Sequence, residues 1–214
     1  MIRALARLLR AAGLLLLMLP GLAAAEELCR YQTWAWDTLE KRAVNHARVE
    51  KPYAQLSSAE VDPLTGCSVC ERDQREIHLP SLAPFRVCHV LAAKVEDALR
   101  RLLASGEPIG TVIGYRVGLT RGEVDANGLR TGFSNHSFGI AIDINPEFNG
   151  LYDNCAEFGA SCRLIRGGAW VPGRPGSITA DGAIVAEFER IGLRWGGRIA
   201  GRQKDFMHFS PAGY

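Results

Sequence analysis

Two short segments, far apart in the chain, carry residue types that bind metal ions. The first holds His136 and Asp143, and the second, near the C-terminus, holds Asp205 and His208. Two imidazoles and one carboxylate form a ligand set that hydrolytic zinc sites use, with one coordination position left open. A further carboxylate beside such a site can act as a base. The two segments therefore predict a hydrolytic metal centre.

The spacing within the first segment requires a bend in the chain. Isoleucines alternate with smaller or polar residues over residues 140–145, which predicts a strand with one apolar face. His136 and Asp143 are seven residues apart, and an odd separation on a regular strand places side chains on opposite faces. The two side chains can converge only if the backbone bends between them, and Gly139 permits such a bend.

We assign His136, Asp143 and His208 as ligands of one Zn²⁺ ion, and Asp205 as the general base. Zinc suits two imidazoles and a carboxylate, although nitrogen and oxygen ligands alone do not exclude other metals. Arg116 follows a predicted strand, where its guanidinium could grip a substrate carboxylate or polarise the scissile carbonyl. The alternative for Arg116 is a surface salt bridge. Taken singly, a residue of each of these types more often has a structural role. Their combination with Gly139 favours a metal site.

The N-terminal 25 residues have the features of an export signal. Three arginines precede a short apolar run, and an alanine triplet ends at Ala25. The apolar run is too short to span a bilayer comfortably, so we expect cleavage and no stable membrane insertion afterwards; an uncleaved anchor is the alternative. Removing the leader leaves 22 basic and 23 acidic residues, because it holds three of the 25 Lys and Arg and no acid. This balance lacks the basic bias of a nucleic-acid-binding protein.

All six cysteines lie after the leader, where an oxidising compartment favours disulfides. Six cysteines allow 15 pairings, and Cys155 with Cys162, which flank a short loop, is the preferred pair. Cys67 and Cys70 could be half of a zinc site or a redox pair. No second CxxC is present, so a structural disulfide is the favoured interpretation.

Hydrophobic periodicity predicts three helices, at about residues 28–48 (with His46 on its surface), 86–103 and 178–191. Short strands are predicted at residues 76–79, 111–115, 140–144, 193–197 and 205–209, and a long loop at 147–177. Trp195 and Phe206 are expected in the core, and Ser134 is expected to bond the backbone near His136. Helices at both ends with strands between them indicate an α+β fold.

The combined motifs resemble the M15 peptidases, which include D-alanyl-D-alanine carboxypeptidases and L-alanyl-D-glutamate endopeptidases. The resemblance rests on Ser134-x-His136-x-x-Gly139-x-Ala141-x-Asp143 and on Asp205-x-x-His208-Phe209. Gly114-Tyr115-Arg116 matches the arginine motif of that family, and residues 191–197 resemble the segment before its last motif. The similarity spans about residues 86–209.

The resemblance implies a small central antiparallel sheet with flanking helices, as in the hedgehog and D-Ala-D-Ala peptidase fold. It implies zinc on His136, Asp143 and His208, with Asp205 as base and Arg116 on the substrate. The expected domains are a signal peptide at 1–25, a helix and cysteine-containing extension at 26–85, and a peptidase core at 86–214. The cysteines of that extension and the insert around residues 155–176 are not part of the family's motifs. They leave the substrate specificity open.

The predicted function is an exported zinc peptidase that hydrolyses a peptide bond in peptidoglycan stem peptides by zinc-activated water, as carboxypeptidase or endopeptidase. The periplasm is the expected location, with secretion to the outside as the alternative. The main alternative function is a non-catalytic, zinc-stabilised domain that binds cell wall or protein. A disulfide-rich module without metal would leave His136, Asp143 and His208 unexplained. Sequence alone does not predict the oligomeric state.

Overall fold

A computed structural model describes residues 27–213, so the predicted signal peptide lies outside the described residues. In this range the chain forms helices α1 (His89–Ala104) and α2 (Ala183–Arg190). The strands are β1 (Leu28–Asp37), β2 (Arg42–Pro52), β3 (Gln74–Ile77), β4 (Phe85–Cys88), β5 (Val112–Ile113), β6 (Leu119–Val124), β7 (Arg130–Phe133), β8 (Ile142–Ile144), β9 (Leu151–Asp153), β10 (Arg163–Arg166), β11 (Arg194–Trp195), β12 (Lys204–Asp205) and β13 (His208–Ser210). Neither helix of residues 27–213 is long and apolar enough to cross a membrane.

The strands form four small sheets. The site sheet has the order β11-β13-β8-β5, and the flanking sheet has the order β10-β9-β12. The N-terminal sheet has the order β2-β1-β6-β7, and β3 pairs with β4. Neighbouring strands are antiparallel, except that β1 meets β6 in parallel at Ala35 and Leu119. Two helices with antiparallel sheets agree with the predicted α+β class.

The main core lies between the two helices and the site sheet. Helix α1 buries a stripe at helical spacing: Ala92, Val95, Ala98, Leu99 and Leu102. Val90, near the start of the helix, lies outside this stripe and is 44% exposed. The helix begins at His89 rather than 86, since the preceding residues form β4. Phe188 of α2 contacts Phe209 of β13 with ring centroids 4.9 Å apart, which fixes the back of the site sheet.

The predicted helix at residues 28–48 is wrong, because β1 and β2 form a long antiparallel hairpin there. Cys29, Tyr31 and Ala35 are buried at alternating positions, which is the period of a strand rather than a helix. The irregular helical spacing of the larger apolar residues hid this alternation. His46 therefore lies exposed on a strand. The described residues therefore begin with two strands and not with the predicted helix.

A buried carboxylate, Glu60, joins the two strands of this hairpin to the loop that follows them. Its oxygens accept hydrogen bonds from the Tyr31 hydroxyl at 2.7 Å and the Lys51 ammonium at 2.6 Å. The backbone N–H and the hydroxyl of Ser57 donate to it as well. Burial opposes ionisation, but these bonds outweigh it and lower the pKa of Glu60 to about 2. The carboxylate is therefore ionised across the neutral range.

Glu60→Gln should destabilise the fold by about 2 kcal/mol at pH 7, because the hydrogen bonds to a charged acceptor are lost. The pKa of Glu60 is lower in the folded state than the value of about 4.3 in an unfolded chain, so its contribution is fully present above that value. The difference between variant and wild type should shrink as pH falls from about 5 to about 2. Urea unfolding over this range measures it. Glu50→Gln, which removes only an exposed ion pair with Arg30, is the matched control and should change little. A pH-independent difference would contradict the explanation.

Three disulfides connect the described residues: Cys29–Cys70, Cys67–Cys88 and Cys155–Cys162. The preferred pair of Cys155 with Cys162 is confirmed. Cys67 and Cys70 are both in disulfides, but not with each other. They join the loop between β2 and β3 to β1 and to the end of β4, so the CxxC is neither a redox pair nor a zinc half-site.

The predicted loop at residues 147–177 contains two short strands, β9 and β10, which pair with each other. The C-terminal end of the predicted loop, at Gly176, is held by a buried amide network at the end of β8. The Asn145 side-chain carbonyl accepts from the N–H groups of Gly110 and Thr111, and its amide donates to Pro108 and Gly176. The segment is thus ordered through contacts with distant backbone, which local sequence patterns do not encode.

Candidate metal centre

The register of the site sheet brings two candidate ligands together. His208 on β13 lies directly opposite Asp143 on β8, and Asp143 lies opposite Ile113 on β5. Directly opposed residues of antiparallel strands project from the same face of the sheet. The carboxylate and the imidazole are therefore neighbours because of strand pairing alone, although 65 residues separate them in the chain.

His136 reaches the same point from a 3-10 turn, Asn135–Phe138, which ends at Gly139. Gly139 has φ 67°, in the left-handed region where glycine is favoured. A Cβ at this position would lie 1.9 Å from Gln74 Oε1 and 2.6 Å from the backbone nitrogen of Cys88. The predicted bend at Gly139 is confirmed, and it lets the chain turn from the 3-10 segment into β8.

The three side chains meet at one carboxylate oxygen. His136 Nε2 and His208 Nδ1 each lie 3.0 Å from Asp143 Oδ1, and all three residues are 3% exposed. One ligand atom from each residue lies within 4.8 Å of the others. Four tetrahedral ligands at about 2.1 Å from zinc are separated by about 3.4 Å. The separations and the donor types therefore fit a zinc ion; the role of these residues as ligands stays a prediction.

A hydrogen bond outside the cluster orients the imidazole of His136. Its Nδ1 lies 2.8 Å from the carbonyl oxygen of Gly114, so Nδ1 carries the proton and donates it. In the neutral imidazole, the lone pair of Nε2 is then directed at the cluster, which is how metal-binding histidines are commonly held. Nε2 of His208 is buried and has no hydrogen-bond partner within residues 27–213.

The carboxylate of Asp143 is held in its anionic form. Burial alone would raise its pKa, but when both imidazoles are protonated, the charges of His136 and His208 and the hydrogen bonds that they donate keep it well below the usual range. Arg116 donates from Nη2 to Asp143 Oδ2 at 3.1 Å, on the oxygen that the histidines leave free. Arg116 thus reaches the predicted site and is not part of a surface ion pair.

Asp205, the predicted base, lies on β12 of the flanking sheet and has a buried oxygen, Oδ1, without a hydrogen-bond partner in the described part of the chain. Burial raises the pKa of Asp205 to about 6; the charge of Asp143 adds to this, and those of His208, Arg121 and Arg116 oppose it. The carboxyl group is therefore electrostatically coupled to the cluster and titrates close to neutral pH. Such a pKa suits a group that both accepts and donates a proton.

Two arginines near Asp205 were not predicted from the sequence. Arg121 lies on β6, and its charge acts on Asp205. Arg166 on β10 lies opposite Leu151, which in turn lies opposite Asp205, so all three project from one face of the flanking sheet. Arg166 is exposed overall, but partial burial of its guanidinium and the charge of Arg116 lower its pKa. No local signal marks Arg166, because its strand was read as part of a loop.

The supporting residues partly follow the prediction. Trp195 and Phe206 are both 3% exposed, which confirms that they belong to the core, and the Trp195 indole donates to the Phe206 carbonyl at 2.8 Å. Within residues 27–213 the Ser134 hydroxyl does not bond the backbone; it lies 3.3 Å from the Ser137 hydroxyl. The backbone near His136 is instead held by Ser137, whose Oγ donates to Gly118 and accepts from it.

Comparison with known proteins agrees with this site. The family model described as D-alanyl-D-alanine carboxypeptidase matches residues 127–211, which include the three candidate ligands and Asp205. Residues 127–211 are therefore similar to the M15 peptidase family, which supports the recognition made from the two motifs. Arg116 precedes the matched residues. Neither the comparison with curated proteins nor the comparison with solved structures found a match.

Proposed function

We propose that this protein is a zinc-dependent peptidase that cleaves a peptide bond in peptidoglycan stem peptides. The observation that carries the proposal is the buried convergence of His136, Asp143 and His208 at one carboxylate oxygen, inside the segment that matches the peptidase family. Two histidines and an ionised carboxylate leave one tetrahedral position for a reactant. Both carboxypeptidase and endopeptidase cleavage belong to this proposal.

His136, Asp143 and His208 would hold the ion. When bound, zinc supplies a Lewis acid that polarises a carbonyl group and activates water for attack. The chain's own contribution is to hold these three donors in a buried, oriented array, with the tautomer of His136 set by Gly114.

Asp205 acts as the general base in this proposal. Its pKa of about 6 leaves it mostly ionised at neutral pH, so it can remove a proton from the attacking water. The protonated carboxyl group can then return that proton to the leaving amine. Its Oδ1 is buried and has no hydrogen-bond partner among residues 27–213, which supports a role in proton exchange rather than in a structural bond.

Arg116 has two roles in the proposal. Its Nη2 orients Asp143 through the 3.1 Å hydrogen bond, and its remaining N–H groups are available to a substrate carboxylate or to the oxygen of the scissile carbonyl. With Arg121 and Arg166 it concentrates positive charge beside the site. An anionic peptide is the substrate that this charge favours.

We further infer that the protein is exported, with residues 1–25 as signal peptide, and that it acts in the periplasm. Three disulfides support an oxidising compartment. We also infer a peptidase core at residues 86–214 in the hedgehog and D-Ala-D-Ala peptidase arrangement, preceded by the disulfide-linked extension at 26–85. The site sheet between β5 and β13 supports this arrangement.

Mass spectrometry of purified muropeptides after incubation with the mature protein tests the function. We expect a defined peptide product, loss of turnover with a chelator, and recovery when zinc is restored. The mass of the product identifies the cleaved bond and separates carboxypeptidase from endopeptidase activity. Unchanged muropeptides with zinc-loaded, folded protein would refute the peptidase and favour the non-catalytic binding domain.

A further inference from the structure

A groove of about 510 Å³ adjoins the candidate metal centre on the side of the N-terminal hairpin. Its walls come from β1, from β2, from Glu71 and from the segment 115–117. This volume is in the range of binding sites for small ligands. Arg116 belongs to both places, because it lines the groove and also donates to Asp143. Arg116 therefore connects the wall of the groove to the centre at which the proposed reaction occurs.

The hairpin is shaped where it lines the groove. Thr33 pairs with Ala47 and Ala35 pairs with Val44, so β2 carries one extra residue opposite Trp34. Asn45, within this bulge, has φ 55°, a left-handed conformation that asparagine tolerates better than most residues. Bulges redirect side chains and are common beside active sites. Here the bulge lies on β2, opposite Trp34 of β1 and shortly before Arg48. Both of these residues line the groove.

Trp34 connects the groove to the ligand His136. Its indole lies against Gly118 so closely that a Cβ there would be 2.7 Å from the ring. Gly118 exchanges two hydrogen bonds with the hydroxyl of Ser137, at 3.0 and 3.1 Å, and Ser137 follows His136 directly. The backbone N–H of Arg116 also donates to the carbonyl of His136 at 3.1 Å. The aromatic wall is thus held in a fixed position relative to the centre.

The charges of the groove indicate an anionic ligand. Arg48 is exposed and forms no ion pair within residues 27–213, and its neighbour Glu50 is engaged by Arg30 at 2.8 Å. Arg116 adds a second guanidinium, whose Nε is buried without a partner among the described residues. Glu71 is the single acid of the wall. The Tyr115 hydroxyl donates to the carbonyl of Val69 at 2.6 Å, so this residue offers its ring rather than its hydroxyl.

We propose that this groove binds the part of an anionic peptide substrate that extends away from the cleaved bond, with Arg48 against a substrate carboxylate and Trp34 and Tyr115 against its aliphatic portions. The inference rests on the proposed function and adds the substrate-binding site to it. All ten residues that line the groove precede the matched segment 127–211, and seven of them lie in the extension at 26–85. It is therefore a feature of this chain's own extension, and it gives the N-terminal hairpin a role in substrate choice.

A double-mutant cycle in equilibrium binding tests the proposal without hydrolysis. The mature, zinc-loaded Asp205→Asn protein is titrated with a stem pentapeptide and with the same peptide whose internal carboxylates are amides. Arg48→Gln in this background should weaken binding of the acidic peptide about tenfold, as loss of a charged hydrogen bond does, and should hardly affect the amidated peptide. Arg42→Gln, an exposed arginine of the same strand that pairs with Glu40 outside the groove, is the matched control.

The binding role of the groove is refuted if Arg48→Gln and Arg42→Gln bind the acidic peptide with the same affinity, or if the peptide does not bind at all. It is also refuted if Arg48→Gln weakens both peptides equally, since no carboxylate would then face Arg48. Near-UV circular dichroism verifies that each variant is folded. The proposed function is judged separately by hydrolysis with the unmodified Asp205. Cleavage without an effect of Arg48→Gln on binding would support the peptidase and refute the binding role of the groove. An effect of Arg48→Gln without any cleavage would support the groove as a binding site and refute the peptidase.

Discussion

Asp205→Asn should retain the metal ion and lose about 100- to 10,000-fold of the hydrolytic rate, which is the usual contribution of general acid–base catalysis. An amide has nearly the size of the carboxyl group but cannot accept the proton. The cluster of His136, Asp143 and His208 contains no atom of Asp205, so metal binding should be unchanged. Metal analysis and muropeptide turnover, measured on the same preparation, provide the two readouts.

Asp153→Asn is the matched control, because Asp153 lies on the neighbouring strand β9 and pairs with Arg163. It should retain both metal and turnover. Loss of the ion together with activity in Asp205→Asn would make Asp205 a ligand. Full activity in that variant would remove the base from the mechanism and leave the raised pKa as a consequence of burial alone.

His136→Ala should abolish stoichiometric metal binding. Mutation of groups that only support a ligand typically costs 10- to 100-fold in metal affinity, so removal of a ligand should cost more than about 100-fold. Added zinc should raise the melting temperature of the wild type, because it binds only the folded state, and should not raise that of the variant. Metal content and thermal unfolding with and without zinc measure this independently of any activity.

His78→Ala removes an exposed imidazole that pairs with Glu76, and it should behave as the wild type does. His208→Ala should reproduce the result of His136→Ala. One zinc ion per chain at wild-type affinity in both cluster variants would overturn the ligand assignment. In the absence of metal, His136→Ala and His208→Ala each leave the buried charge of Asp143 with fewer partners. The metal-free form of either variant should therefore unfold at a lower temperature than the metal-free wild type.

The two halves of the proposed function depend on different parts of the fold. The metal cluster depends on the pairing of β13 with β8 and on the turn at Gly139, all within the segment that matches the peptidase family. The groove depends on the hairpin of β1 and β2, which Glu60 and the Cys29–Cys70 disulfide attach to the rest of the chain. Destabilising the hairpin should therefore affect substrate binding before it affects metal binding.

Much of the candidate site could be predicted from local sequence because its requirements are local. The types of the candidate ligands, the bend at Gly139, the strand that holds Asp143 and the C-terminal end of α2 all follow from residue chemistry and short-range spacing. The amphipathic part of α1 and the pairing of Cys155 with Cys162 are equally local.

Only the tertiary structure decided how distant segments meet. The partners of Cys67 and Cys70, the two strands in the predicted loop, and the approach of Arg121 and Arg166 to Asp205 each depend on contacts across sheets. The hairpin at residues 28–52 was misread because irregular spacing of large apolar residues masked an alternating pattern. Short-range periodicity reports which face of an element is buried; it does not report which other element covers that face, because packing and strand register settle that choice.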